Sequence, residues 1–507
     1  MTAIPHDAAA SPSRDSQQRF LWLGAGALLS LFAVGGRWDI PLAAWLFSIF
    51  LLRFVRTSRV LPGVGLVWLV SIASALFWVW QVAVPVVPAT YVACLAFGTV
   101  FTLPYLLDRL LTPRLSGTAR LLLFPAALAA CEFFMGTFSP LGAAYGLLAA
   151  TQRANLPLLQ VISVLGPYAI GFLIGALATV ANHAWEQDWS WQRSRRIATI
   201  YAAVLGVVLM GGEARIAFFP VSHATTVRIA GISPSRGAAA PLFQLIGGQA
   251  SRDEDAARTD PAAFRAASGI AIAELLASTR RAAQAGAKIV LWSENAATVL
   301  AADEPALLAA AAALAKEEQI YLSVADKVYL PEAPYGRDET HLIGPDGAVL
   351  WTYRKARPIP GLETYIPGGA PATVVDTPYG RLANVICYDA DFPAVARIDA
   401  DILLVPGGDW PEIGRVHTGM ASLRAIENGY ALVRQDFIGL SAAFDHQGHV
   451  LAAQDTTGPD AYVMLADVPT KGVATLYRTT GDLFAWACLA AVLALAGLAI
   501  VRPRAVS

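Results

Sequence analysis

The sequence is short of charge, and this shortage excludes several classes of protein. Charged residues make up 15% of the 507 residues, whereas about 25% is usual for soluble domains. The formal net charge of -1 offers no basic surface, so we expect no nucleic-acid partner. Apolar residues reach 56% and dominate residues 20–220 and 481–501, while residues 225–475 have a globular composition. The pattern is typical of a membrane protein with one large soluble domain.

A cleavable signal peptide is also missing. Residues 1–19 are polar, and the apolar stretch that follows them has no clear small-residue cleavage site. We therefore expect this stretch to stay as a first membrane span after a cytoplasmic tail of residues 1–19.

Long apolar stretches are what the chain does have. A spanning helix needs about 20 mostly apolar residues. Candidate spans before the soluble domain are residues 20–35, 38–55, 62–83, 87–107, 118–138, 157–181 and 197–214. Another covers residues 481–501, followed by a tail of residues 502–507. The sequence therefore predicts seven spans within residues 20–220, the domain of residues 225–475, and an eighth span.

Arginine is distributed unevenly between the loops. The two tails and every second loop together hold 13 arginines, whereas the loops between them hold 2, Arg37 and Arg153. Positively charged residues mark the cytoplasmic side of a membrane. Both tails are therefore predicted to be cytoplasmic, and an odd number of spans places residues 225–475 outside the cytoplasm.

Cysteine is scarce, and one cysteine stands apart. Of the four, Cys94, Cys131 and Cys488 lie in apolar stretches, and Cys387 is alone in the polar part of the chain. In an oxidising compartment a cysteine without a partner in its own domain is a free or an intermolecular thiol. It can be a reactive thiol or simply a small buried apolar residue. Its position after the apolar run of residues 382–386 leaves both interpretations open.

Strand and helix patterns alternate in residues 225–475. Residues 287–292 and 401–406 are short, continuous apolar runs typical of buried strands, while residues 261–286 and 304–318 have helical spacing. Residues 341–353 predict a hairpin. An α/β domain is expected, with helices covering a mostly buried sheet.

Three of the predicted strands end at a residue with useful chemistry: Glu294, Lys355 and Cys387. Strand ends meet at one edge of a sheet, so these side chains can converge. A carboxylate can take a proton from a thiol, and a fixed positive charge can stabilise an oxyanion. Taken one at a time, a glutamate or lysine at a strand end is more often a solvated surface charge.

The segments around these residues resemble the nitrilase (carbon–nitrogen hydrolase) superfamily. They are residues 291–294 (LWSE), 353–355 (YRK), 386–393 (ICYDADFP) and 424–429 (RAIENG). A nitrilase domain between several N-terminal spans and one C-terminal span is similar to the apolipoprotein N-acyltransferase family. The resemblance implies an α/β nitrilase-like domain, an αββα sandwich, inserted in the membrane bundle.

The resemblance also implies roles for individual residues. Cys387 would be the nucleophile, Glu294 the general base and Lys355 the oxyanion stabiliser. Glu363 would support the lysine. Tyr388 matches an aromatic residue that follows the family's cysteine, and packing is an equal alternative for it.

The implied reaction transfers a fatty acyl group from a membrane phospholipid, through a cysteine thioester, to the N-terminal amine of a diacylglyceryl-cysteine lipoprotein. The implied cellular location is the inner membrane of a bacterium, with the catalytic domain on the periplasmic side. Membrane lipid and the lipoprotein acceptor are the expected partners, and a monomer is expected. We expect no cofactor and no metal, since His417, His446 and His449 lack ligand spacing and are predicted to lie at the surface.

The sequence departs from the family pattern in three places. Trp292-Ser293-Glu294 replaces the usual Trp-Pro-Glu, and the run before Glu363 reads differently. Pro406-Gly407-Gly408-Asp409-Trp410 stands where a Ser-Asn-Asp-Ala-Trp-Phe motif is usual. This loop shapes the pocket in the family, so another amine acceptor stays open.

Further alternatives are a membrane-anchored amidase or hydrolase and a catalytically inactive scaffold. The acidic Glu132 in an apolar span has either a direct role or a structural partner.

Overall fold

The computed structural model describes residues 14–84, 87–219, 225–247, 253–459 and 462–501. Eight long apolar helices form a bundle. They are α1 (Arg14–Ser30), α2 (Pro41–Thr57), α3 (Val60–Gln81), α4 (Pro88–Leu111), α5 (Thr118–Phe138), α8 (Tyr168–Glu186), α9 (Trp191–Phe218) and α17 (Leu483–Val501). Among the described residues, six helices are long and apolar enough to cross a membrane, while α1 and α2 have only 17 residues each. The count of eight spans therefore stays a prediction.

The bundle is packed around α5. This helix is the most buried of the apolar helices and contacts α4, α8 and α17. Close approach depends on small residues, because a Cβ at Gly175 would lie 2.9 Å from the Pro125 Cα. The buried Glu132 of α5 accepts the backbone N–H of Leu148 at 2.9 Å. A structural partner for this glutamate is thus present.

The predicted span of residues 157–181 is wrong as a single helix. The chain forms two short helices, α6 (Leu156–Leu159) and α7 (Ile162–Leu165), before α8 begins at Tyr168. Gly166 has a φ of +81° and packs against the ring of Tyr477. Pro167 follows it and has no N–H to continue a helix. Glycine and proline therefore separate the two short helices from the later span.

One end of the bundle carries a cluster of ion pairs. Arg56 binds Asp108 at 2.7 Å and Glu186 at 3.2 Å, and Glu186 also binds Arg120 at 2.8 Å. These residues come from the arginine-rich loops and the helix ends beside them, so the loops lie at the same end of the bundle. The arrangement agrees with the predicted alternation of loops, while the compartment itself stays a prediction.

Residues 226–469 form two facing sheets. Strands of the first sheet are β1 (Thr226–Ile232), β2 (Ile289–Trp292), β3 (Ala297–Leu300), β4 (Tyr321–Tyr329), β5 (Gly336–Ile343), β6 (Val349–Arg354) and β13 (Val463–Pro469). Strands of the second are β7 (Val375–Thr377), β8 (Gly380–Asn384), β9 (Ile402–Gly407), β10 (Ala431–Asp436), β11 (Leu440–Phe444) and β12 (Val450–Asp455). The first sheet has the order β13-β1-β2-β4-β5-β6, with β3 beside β4, and the second has the order β12-β11-β10-β9-β8-β7.

The helices of the soluble domain are α10 (Arg236–Leu245), α11 (Asp253–Thr259), α12 (Pro261–Gln284), α13 (Glu304–Glu318), α14 (Pro393–Ala396), α15 (Gly414–Asn428) and α16 (Leu476–Thr480). Helices α12, α13 and α15 pack directly on the two sheets. One apolar core joins the inner faces, and a second packs the first sheet against α12 and α13. The parallel strands β2 and β9 are buried along their whole length, which explains their continuous apolar runs. The αββα nitrilase-like fold predicted from the sequence is confirmed.

The soluble domain rests on the end of the bundle opposite the ion-pair cluster. The indole N–H of Trp410 donates to the Val82 carbonyl at 2.6 Å, and the Ala143 N–H donates to the Asp391 carbonyl at 2.9 Å. The loop after Cys387 and the loop after β9 therefore lie directly against membrane helices.

A glycine pair in α9 tests how this helix is docked. A Cβ at Gly212 would overlap the Pro157 backbone carbonyl of α6, whereas a Cβ at Gly211 would meet nothing within 4 Å. We expect Gly212→Ala to lower the thermal unfolding midpoint in detergent. Gly211→Ala is the matched control and should leave the midpoint unchanged or raise it, since alanine favours helix by about 1 kcal/mol over glycine. Equal effects of the two changes would contradict the docking of α9 on α6.

Candidate active site

The three strand-end residues predicted from the sequence lie together at the edges of the two sheets. Glu294 follows β2, Lys355 follows β6 and Cys387 follows β8. All three are buried, with Lys355 fully inaccessible. The hydrogen bond from the Glu294 N–H to the Gly407 carbonyl, at 3.2 Å, ties the first sheet to the second beside the site.

Lys355 faces three acidic residues at the site. Its Nζ donates to Glu294 Oε1 at 2.6 Å and to Glu363 Oε1 at 2.7 Å, and it lies 3.7 Å from Asp338 Oδ2. The Glu294 carboxylate interacts electrostatically with the Cys387 thiol. The structure thus brings together the four polar residues that the sequence singled out and adds Asp338, an acidic residue inside β5.

Cys387 sits on a strained turn. Its φ is +47°, a region that residues with a side chain rarely occupy. The turn continues as a short 3₁₀ helix, Cys387–Asp391. Such strain persists only where the surroundings hold it.

Asp389 holds this turn. Its carboxylate accepts the N–H of Ile386 at 3.2 Å, the N–H groups of Ala356 and Arg357 at 3.2 and 2.7 Å, and the Tyr353 hydroxyl at 2.8 Å. Burial raises the pKa of Asp389 to about 6. Because these partners flank Lys355 and Cys387, Asp389 fixes the thiol relative to the ammonium.

The electrostatics leave the thiol protonated and the carboxylate charged. Burial raises the pKa of Cys387 well above its ordinary value, and the charge of Glu294 raises it further. Burial also opposes ionisation of Glu294, but the Lys355 ammonium outweighs this and lowers the pKa of Glu294. Burial disfavours the Lys355 charge, and the facing carboxylates more than restore it, so the pKa of Lys355 is raised. A thiol beside an ionised carboxylate and a fixed cation can act as a nucleophile.

A second charged group lies on the other side of the thiol. Arg434 Nη2 lies 3.7 Å from Cys387 Sγ and donates to Asp409 Oδ2 at 3.0 Å, and Nε donates to Asp436 at 3.1 Å. His417 Nδ1 is 2.7 Å from Asp409 Oδ1. The predictions that His417 and His446 lie at the surface are wrong, since both are buried, at 5% and 6% exposure.

The sequence contains one indication of this second charged group. Arg434 follows the apolar residues 431–433 inside the strand ALVRQD, and a charge inside a buried strand needs a partner. Asp409 and His417 have no comparable local signal. They meet Arg434 only because β9 and β10 pair in parallel and α15 folds back over them.

Two cavities lie beside the site. One, of about 380 Å³, lies between membrane helices and the soluble domain and is almost wholly apolar. It reaches Tyr388, Trp410 and His417. The other, of about 370 Å³, lies within the soluble domain and is lined by Glu294, Glu363 and other polar residues. The Tyr388 ring thus lines the apolar cavity, and its hydroxyl donates to the Pro140 carbonyl at 3.4 Å.

Three groups of side chains have metal-ligand chemistry within the described residues. They are Cys387, Asp409 and His417; Glu304, Glu339 and His341; and Glu294, Asp338 and Glu363. A basic side chain already lies among the carboxylates of each group: Arg434, Arg337 and Lys355, respectively. These cations balance the acidic charge that would otherwise attract a metal.

Comparison with known proteins follows the division into two parts. Residues 258–478 match the family described as carbon-nitrogen hydrolase, and residues 25–180 match the apolipoprotein N-acyltransferase N-terminal domain. An apolipoprotein N-acyltransferase of Geobacter metallireducens is 26% identical over 417 residues, covering 76% of this chain and 75% of the relative. One of Rhodopseudomonas palustris is 25% identical over 517 residues, covering 94% and 88%.

The chain belongs to the apolipoprotein N-acyltransferase family. Membership makes it a membrane protein and an acyltransferase built on a nitrilase-like domain. Among solved structures, an amidase from Nesterenkonia sp. is 22% identical with a TM-score of 0.40, covering 51% of this chain and 94% of the amidase.

The Gly407-Gly408 pair, where this chain departs from the family motif, supports the site directly. A Cβ at Gly408 would lie 2.9 Å from Glu294 Oε2, so Gly408→Ala should displace this carboxylate from the thiol. We expect alkylation of Cys387 by iodoacetamide, followed by mass spectrometry, to slow by about tenfold or more, part of the 10²–10⁴ that a positioned base supplies. Gly369→Ala is the control, since its Cβ meets nothing within 4 Å. Unchanged alkylation in Gly408→Ala would contradict the contact.

The His417–Asp409 pair should make stability depend on pH. Burial disfavours the imidazolium, but Asp409 and then Asp391 raise the pKa of His417 to about 10 against the opposing charge of Arg434. A raised pKa stabilises the fold fully below about pH 6.5, and this stabilisation is lost as the pH rises through about 10. We expect wild type to melt well above His417→Gln near pH 6.5, with the gap closing towards pH 10. A gap that does not change with pH would show that the imidazolium charge contributes nothing.

Proposed function

We propose that this protein transfers a fatty acyl group from a membrane phospholipid to the N-terminal amine of a diacylglyceryl-cysteine lipoprotein. The acyl group would be carried as a thioester on Cys387. The observation that carries this proposal is the apolar cavity between the membrane helices and the soluble domain, whose wall includes Tyr388, the residue that follows Cys387. Relatives named apolipoprotein N-acyltransferase over most of the chain support it.

In the first step Cys387 attacks an ester carbonyl of the phospholipid. The resting thiol is protonated, so it needs a base, and the ionised Glu294 is the neighbouring carboxylate that can serve as one. Lys355 faces the same point and stabilises the oxyanion, with Glu363 holding its ammonium at 2.7 Å. A lysophospholipid leaves and the acyl-enzyme remains.

In the second step the lipoprotein amine attacks the thioester. An α-amino group has a pKa near 8, so a useful fraction is neutral at physiological pH. Converting a thioester to an amide is downhill, and no nucleotide is required. The two substrates react in turn with one sulfur, which gives ping-pong kinetics.

The two cavities suit the two kinds of substrate surface. The apolar cavity, with Tyr388 on its wall, would receive acyl chains from the bilayer. The cavity within the soluble domain would receive the polar part of the acceptor next to Glu294. The arginine pattern supports a bacterial inner-membrane location with the catalytic domain on the periplasmic side.

Mass spectrometry of the intact protein tests this function. After incubation with phospholipid vesicles, wild type should gain one acyl mass on Cys387, and a diacylated lipopeptide should then remove it as an N-acyl product. Cys387→Ala should gain none. Cys488→Ala is the matched control, because this thiol lies in α17 and should not affect the reaction.

Two results would contradict the proposal. Loss of the acyl group to water in the presence of lipopeptide would indicate a hydrolase. The cavity within the soluble domain, which Glu294 lines, could support this activity. Absence of any acyl mass on Cys387 would exclude phospholipid as the donor.

A further inference from the structure

His417 has a geometry that the reaction described above does not use. It is 5% exposed, and its Nδ1 lies 2.7 Å from Asp409 Oδ1. The charge of Asp409 is held by His417 and Arg434, which lower the pKa of this carboxyl against the effect of burial. Arg434 Nη2 also lies 3.0 Å from Nδ1. Because the raised pKa of His417 makes the imidazolium the resting form, both ring nitrogens carry protons and Nδ1 donates to Asp409. The histidine ring is therefore fixed in orientation.

The other ring nitrogen, Nε2, forms an ion pair with Asp391 but no aligned hydrogen bond in the described part of the chain. Among the described residues Nε2 has no hydrogen-bond partner, although it lies 3.3 Å from Asp391 Oδ2. A buried polar atom left without an aligned partner is costly. His417 also lines the apolar cavity, so the cost is explained if Nε2 meets a substrate atom that enters there.

His417 and Glu294 lie beside the same sulfur but serve different cavities. A ring nitrogen of His417, an oxygen of Asp409 and Cys387 Sγ lie within 4.8 Å of one another. Glu294 lines the cavity within the soluble domain, whereas His417 lines the apolar cavity. One oxygen of Glu294 is bound to Lys355, and the same carboxylate interacts electrostatically with the Cys387 thiol. Glu294 is placed to exchange a proton with sulfur, and His417 with an atom in the apolar cavity.

We propose that His417 is a second acid–base residue, which protonates the oxygen that leaves the phospholipid and later takes the proton of the attacking amine. This proposal rests on the acyl transfer proposed above and divides its proton transfers between two residues.

The protons balance over one cycle. In acylation Glu294 takes the thiol proton, sulfur bonds to the carbonyl carbon, the ester C–O bond breaks, and His417 gives its Nε2 proton to the leaving oxygen. In transfer the amine nitrogen bonds to the same carbon, neutral His417 takes the proton lost by nitrogen, and the C–S bond breaks. Glu294 then returns its proton to sulfur, and both residues regain their starting states.

The charges around His417 favour this starting state. Asp409 and Asp391 face the ring from two sides, and Arg434 and Cys387 are the other titratable groups beside it. The raised pKa of His417 makes the imidazolium the resting form, so a proton is available for acylation.

A series of fatty-acyl esters with different leaving groups tests the proposal. p-Nitrophenolate leaves without a proton, whereas the alkoxide of a glycerol ester needs one. We expect His417→Gln to slow the single-turnover gain of acyl mass on Cys387 by about 10²-fold or more with glycerol esters, which is the usual contribution of an acid catalyst. With the p-nitrophenyl ester it should stay within about threefold of wild type.

The comparison is made between donors within one preparation, so partial misfolding lowers every rate equally. Glu294→Gln is expected to slow all esters alike, because its proton comes from sulfur. His446→Gln, another buried histidine, should change neither rate.

Equal slowing of both esters by His417→Gln, or no slowing of either, would overturn the proposal. Failure of the function itself looks different: wild type would then react with the artificial esters but not with phospholipid vesicles.

Discussion

The buried ammonium of Lys355 is the interaction on which the site depends. Removing an ammonium from water costs several kcal/mol unless partners replace the solvent. Here Glu294 and Glu363 both bind it below 3 Å, and neither carboxylate is more than slightly exposed. The lysine keeps Glu294 ionised, and the charge of Glu294 in turn contributes to keeping the Cys387 thiol protonated. The resting site is therefore ready to react while its sulfur stays in the less reactive form.

The geometry of the active site depends on a fixed position of the two sheets relative to each other. Glu294 and Lys355 belong to one sheet, and Cys387 belongs to the other. Asp389 spans the gap, because its carboxylate binds backbone groups on both sides, and the bond from Glu294 to the Gly407 carbonyl closes the other flank. The strain at Cys387 is tolerable because this network determines its position from both sheets.

The sequence predicted those parts of the site that depend on local pattern. Glu294 and Cys387 follow apolar runs, and Lys355 follows the predicted hairpin, and these features are visible without a structure. Helix α13 was predicted with its observed limits, Glu304–Glu318, because its alanines and periodicity need no tertiary support.

What depends on contacts between distant segments was missed. His417 looks like an isolated polar residue because Asp409 and Arg434 reach it through the pairing of β9 with β10. Asp338 points into the site only because β5 pairs with β6 in one register, which sends its neighbour Glu339 to the opposite face. The break at Gly166 had a local signal in the following proline, but its cause includes the distant ring of Tyr477.

The position of the two cavities explains why a nitrilase-like domain would be combined with a membrane bundle. Residues of α3, α4 and the loop after α5 form one wall of the apolar cavity, and the loops around Tyr388 and Trp410 form the other. Neither half encloses this space alone. The contacts of Trp410 with Val82 and of Asp391 with Ala143 hold the walls together. These contacts come from the two loops that also carry Cys387 and Asp409. Separation of the halves would therefore disturb the proposed nucleophile and the binding space together, so acyl chemistry at this sulfur is coupled to the docking of the domain on the membrane helices.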